Sequence, residues 1–166
     1  VLELMGVRGA QLQGGYKAYR RHVQDALASC SLQPQLYVLC GSTGVGKTIL
    51  LKLLAERGVP VIDLEGLANH RGSAFGHVGL GKPATAQNFD AELLQALTEC
   101  NSQPCLFVEC ESKRVGNVYL PESLHSSMQT ARKILIRASR NTRAQRLIAE
   151  YTDSLGDNNP EISASI

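Results

Sequence analysis

Residues 36–48 read LYVLCGSTGVGKT, a β-favouring apolar run that passes into a glycine-rich turn and ends in lysine and threonine. Gly41, Gly46, Lys47 and Thr48 fill the pattern GxxxxGK[ST], so Gly41, Ser42, Thr43, Gly44, Val45, Gly46, Lys47 and Thr48 form a phosphate-binding loop. In such a loop successive amides point inward and join the free N–H groups at the start of the next helix, making a patch of positive partial charge. A diphosphate or triphosphate suits that patch. Lys47 adds a full charge, and the Thr48 hydroxyl suits Mg²⁺, which keeps waters and phosphate oxygens as its other ligands.

On either side of this loop, apolar strands alternate with helices. Residues 49–58, ILLKLLAERG, are apolar nearly all round and end in glycine, which predicts a helix packed tightly on a sheet. Strands are expected at 59–63, 105–109 and 133–138. That order predicts an α/β, three-layer P-loop NTPase-like fold with a mostly parallel sheet, whose ligands gather at the carboxyl ends of the strands. Asp63 and Glu109 should stand at that edge, with Glu111 beside them. Glu109 follows Val108 directly and is the better candidate for the Walker B carboxylate, which meets the metal through water.

Two loops complete the expected site. Residues 64–84 hold five glycines and no sustained period, which predicts a long mobile loop with Asn69, His70, Arg71 and Ser73 as its polar centre. Arg71 is the candidate for a bidentate fork on phosphate oxygens, and His70 reads equally as catalytic or solvent-facing. Residues 111–121 form a second polar loop with Lys113 and Arg114. Helical stripes appear at 16–30, at 88–100, and in a last helix capped by Thr142 with Ala144, Leu147, Ile148, Tyr151 and Leu155 as its buried face. A short helix is expected at 121–131. Lys17, Arg20, Arg21 and His22 read as a solvated face. The basic run Arg132, Lys133, Arg137, Arg140, Arg143 and Arg146 reads evenly as a solvated face or as charge-stabilising arginines at the ligand edge.

The 166 residues are 43% hydrophobic and 19% charged, enough for one buried core. A formal net charge of +2 does not mark the whole surface as a nucleic-acid binder, so any RNA contact must be local. No run approaches the roughly 20 apolar residues that span a bilayer, and a cytoplasmic location without membrane partners is expected. The five cysteines contain no CxxC pair, and most read as reduced packing residues, with Cys110 beside the expected carboxylate edge open to either packing or reactivity.

Four stretches together, GGYKAYR at 14–20, GSTGVGKT at 41–48, DLEGLANHRGSAFG at 63–76 and ESKRVGNVYLP at 111–121, resemble the bacterial tRNA 2-selenouridine synthase family. The resemblance implies a preceding rhodanese domain, with 1–15 as its tail or a linker, a P-loop domain over 16–156 and a tail at 157–166. It also implies a transferase that geranylates the 2-thiouridine wobble base of tRNA from geranyl diphosphate and exchanges the product to 2-selenouridine with selenophosphate. Asp63, Arg71 and Glu109 would support catalysis, and geranyl diphosphate or ATP would occupy the loop with Mg²⁺. The rhodanese cysteine has no counterpart here, so this chain alone is not expected to selenate. Beside the resemblance, the residues also fit an ATP-dependent small-molecule kinase or a non-catalytic nucleotide-binding module.

Overall fold

Gln35–Cys40 forms β1, the central strand of the computed structural model, which describes residues 10–70 and 82–155, with side chains to residue 149. β1 lies between two parallel partners, β3 (Cys105–Glu109) and β6 (Arg132–Leu135), and β3 in turn pairs with β2 (Val61–Ile62). The sheet order is β2-β3-β1-β6. Every pairing in it is parallel because each connection crosses over through helical sequence.

Alternation along the strands makes two different faces. Leu36, Val38, Leu106 and Val108 are buried with Val23 and Leu27 of α1 (Gly15–Ala28), Phe89, Leu93 and Leu97 of α4 (Ala86–Cys100), and Leu124 and Met128 of α5 (Glu122–Thr130). This is the main core. α2 (Lys47–Glu56) packs against β2 and β3, and Tyr37 stacks on its register partner Phe107 with ring centroids 4.9 Å apart. α2 is less enclosed than its composition predicts. Only Leu51 is fully buried, while Ile49 and Leu53 are 53% and 40% exposed. The cap at Gly58 is as expected, with a φ of +75°.

Other expectations are corrected in detail. The second strand is two residues long and not five. Residues 64–68 are not loop: Leu64–Ala68 is a helix, α3, because Asp63 caps it by accepting from the Gly66 amide at 2.7 Å. Residues 111–121 are not an open loop either, since Arg114–Val115 (β4) and Val118–Tyr119 (β5) pair as an antiparallel hairpin that buries Val115 and Val118. The fourth main strand begins and ends earlier than predicted. The last helix, α6 (Arg140–Leu155), is capped by Ser139, whose Oγ accepts from the Thr142 amide at 3.1 Å, so Thr142 is not the cap. Of its expected apolar stripe, Ala144 is exposed, Ile148 is 64% exposed and Leu147 is half-buried, while the side chains of Tyr151 and Leu155 lie outside those described. Arg20 leaves the predicted solvated face to pair with Asp90 of α4 at 2.8 Å.

Candidate functional site

The phosphate loop joins the end of β1 to the start of α2, as the sequence predicts. Among the described residues, no hydrogen bond occupies the amides of Gly44, Gly46, Lys47 or Thr48, which leaves them as donors at the helix start. Gly44 has a φ of +80°, and a Cβ there would lie 2.8 Å from the Arg143 carbonyl oxygen, so only glycine lets α6 approach this closely. Lys47 Nζ donates to the Gly41 carbonyl at 3.3 Å. Val45 is the one loop side chain that is fully buried.

A cavity of about 690 Å³ opens over this loop. Lys47 and Thr48 lie on one side, Glu65, Cys110 and Glu111 on another, and Ile49, Arg146 and Leu147 complete the wall. Arg146 donates to the Val45 carbonyl at 2.6 Å and Arg143 Nε to the Thr43 carbonyl at 2.8 Å. Two members of the basic run therefore hold α6 against the loop. The sequence located the charge but offered no signal for that docking, which depends on loop carbonyls a hundred positions away.

The carboxylates gather at the sheet edge. Glu109 ends β3 and is fully buried, its Oε1 accepting from the Glu65 backbone amide at 3.1 Å. Glu109 Oε2 has no hydrogen-bond partner among the described residues. Carboxylate oxygens of Glu65, Glu109 and Glu111 lie within 4.8 Å of one another. Burial first, then the neighbouring Glu65 charge, pushes Glu109 up to about 9, and the same causes push Glu111 up to about 7. Such a cluster favours either bound protons or a cation. Three carboxylates, a buried oxygen without a partner and the nearby Thr48 hydroxyl make an all-oxygen donor set that fits a hard divalent ion such as Mg²⁺.

Glu65 was missed because its stretch read as loop. The signal was there: an N-cap Asp63 followed by Leu64, Leu67 and Ala68 at helical spacing. Asp63 stands beside Glu109, as expected, but one oxygen is taken by the helix cap. Asn69 closes α3 in the left-handed region, and its side chain donates to the Lys82 carbonyl at 2.7 Å. His70 packs on Gly116 of the hairpin. Lys113 pairs with Glu122, and Arg114 donates to the Gly116 carbonyl and lies over Tyr119, so neither lines the cavity. Arg71 and Ser73 lie outside the described residues.

The family model described as the tRNA 2-selenouridine synthase AAA domain matches residues 34–164, which include every residue of this cavity. The chain belongs to that family. Its relatives include tRNA 2-selenouridine synthases of Shewanella sp. (strain ANA-3), 38% identical over 93% of this chain and 41% of that protein. The same-named protein of Alcanivorax borkumensis is 36% identical over 90% of this chain and 41% of its own length. The chain thus spans about two fifths of the length of the curated relatives it matches. Among solved structures, AMPPCP-bound DnaA from Aquifex aeolicus aligns over 93% of this chain and 56% of that one, at 18% identity and a TM-score of 0.34, too distant a likeness to bear on the site. Among the described residues, no helix is long and apolar enough to cross a membrane.

Proposed function

We propose that this chain is the P-loop part of a transferase that modifies the wobble 2-thiouridine of tRNA, and that its cavity takes the diphosphate of geranyl diphosphate. The observation that carries this reading is the pairing of a phosphate cradle with an apolar wall: unpaired loop amides and Lys47 lie beside half-exposed Ile49 and Leu147. A C10 chain gains about 0.8 kcal/mol per buried CH₂, whereas no motif for reading a purine follows the third or fourth strand.

In the geranylation step, the sulfur of 2-thiouridine attacks C1 of the geranyl group. A C–S bond forms as the C1–O bond breaks, the electron pair leaves on diphosphate, and the uridine N3 proton is released. The loop amides and Lys47 hold the growing charge on the leaving diphosphate. Thr48, Glu109 and Glu111 would hold Mg²⁺, which when bound neutralises diphosphate charge. In the later exchange, the selenium of selenophosphate bonds to C2 of the base as the C2–S bond breaks and geranyl thiol leaves, and water then cleaves the Se–P bond to release phosphate, with the rhodanese part of the longer protein as partner. Leu67 of α3 packs on the core, so Ile49 and Leu147 are the residues that cover the isoprenoid in this proposal.

Calorimetric titration in magnesium tests the reading. Geranyl diphosphate is expected to bind more tightly than ATP, and Ile49→Asp to weaken geranyl diphosphate while leaving inorganic diphosphate unchanged. Tighter ATP binding that is indifferent to Ile49 overturns it and favours a kinase.

A further inference from the structure

We propose that the surface from Arg132 to Arg140, along the outer edge of β6 and the turn that follows it, docks the phosphodiester backbone of an RNA. Residues 123–149 contain six Lys or Arg and no Asp or Glu. The other 11 cations of the chain face all 15 carboxylates, so a chain with a net charge of only +2 is divided into a basic segment and an acidic remainder. The basic segment is also open to solvent. β6 is an outer strand of the sheet, all four of its residues are exposed, and Arg137 and Arg140 are exposed on the segment that leads to the phosphate loop.

Arg143 and Arg146 are engaged on loop carbonyls, but Arg132, Lys133, Arg137 and Arg140 form no ion pair or side-chain hydrogen bond among the described residues. Unneutralised cations along one edge match a polymer with a charge at every residue, because each contact releases a condensed counterion. With an extended rise of about 3.3 Å per residue, β6 spreads its four exposed residues over roughly 10 Å, and exposed Arg137 and Arg140 follow beyond its end. Midway along this run the Ile136 amide donates to the Cys40 carbonyl, directly before the phosphate loop. RNA bound there is carried to the rim of the cavity. An anionic membrane is the poorer match, since these cations sit on a strand and a turn and not on the polar face of an amphipathic helix.

The inference rests on the proposed function for the identity of the RNA as tRNA. Its test is anisotropy titration of the whole chain with labelled tRNA from about 50 to 200 mM salt. Replacing Arg132, Lys133, Arg137 and Arg140 by Gln together should flatten the slope of log K against log salt by about 3 and weaken tRNA at least about 10-fold. The melting curve and the diphosphate titration should not change. An unchanged salt slope, or no tRNA binding by the unsubstituted chain, overturns the inference; so does charge-dependent binding to phosphatidylserine vesicles in place of tRNA. If the slope responds but geranyl diphosphate fails to bind, the docking surface stands and the donor assignment falls.

Discussion

The backbone N–H of Glu65 donates to Oε1 of Glu109 at 3.1 Å, joining the first turn of α3 to the end of β3. This one bond brings a third carboxylate to the sheet edge. It also leaves the other oxygen of a fully buried glutamate without a partner among the described residues.

The cluster should make stability fall with rising pH when magnesium is absent. Glu109 and Glu111 hold their protons up to about 9 and about 7, whereas unfolded glutamates lose theirs near 4.5. The folded chain therefore binds more protons across that window, and it loses stability from about 4.5 until both groups have ionised. Glu109→Gln keeps the neutral form at every pH. In EDTA it should raise Tm at pH 8 by ~3 °C or more and change little at pH 4. Adding Mg²⁺ should stabilise the unsubstituted chain at pH 8 and not the variant; a flat Tm profile in the unsubstituted chain would sink the argument.

Lys47→Ala should remove most diphosphate affinity while Tm moves by less than ~2 °C, since among the described residues its side-chain hydrogen bond goes to the Gly41 carbonyl and it is not part of the core. Calorimetry and melting of one preparation check both halves. Unchanged affinity would show that the lysine does not touch phosphate.

Arg146→Ala breaks the donation to Val45 and should loosen α6 from the phosphate loop. Loss of a charge-assisted hydrogen bond at this level predicts an affinity for inorganic diphosphate about 10-fold lower. Amide exchange in α6 should quicken in the same variant. If both quantities match the unsubstituted chain, the contact is incidental to the loop.

Gly116→Ala should destabilise the hairpin for two separable reasons. Its φ of +56° disfavours a side chain, and a Cβ there would stand 2.7 Å from His70 Cγ. A loss of about 2 kcal/mol is expected by urea denaturation, of which about 1 should persist in a His70→Gly background; glycine is needed there because His70 Cβ alone would still stand 2.9 Å from the new methyl. An equal loss in both backgrounds would mean that His70 does not press on the hairpin.

The strand-loop-helix unit at 35–56 and the end of β3 at Glu109 were legible because each depends on local chemistry: glycine spacing, an apolar run, a terminal acid. α3 was obscured by the glycines that follow it, whose number outweighed the Asp63 cap. The β4–β5 hairpin was hidden because each strand has only two residues, too short for alternation to show. The docking of α6 was only partly legible, since of the apolar stripe seen in its sequence Leu147 meets the loop at Gly44 while Ala144 and Ile148 are exposed, and two arginines add the polar contacts. Arg143 and Arg146 bond to backbone carbonyls, and carbonyls carry no sequence signature.

β6 has a further consequence for how copies of the chain behave toward one another. A parallel strand exposed on all four residues presents unpaired backbone groups along its outer side, an invitation to add a strand from another molecule. Two such edges brought together would set Arg132 and Lys133 of one molecule against those of the next, and that repulsion is the barrier to stacking. Because the barrier is electrostatic, it thins as the Debye length shortens from about 10 Å at 0.1 M to 3 Å at 1 M salt. Concentrated salt should therefore promote self-association of this chain through Ile134 and Leu135, which are 39% and 59% exposed on that edge.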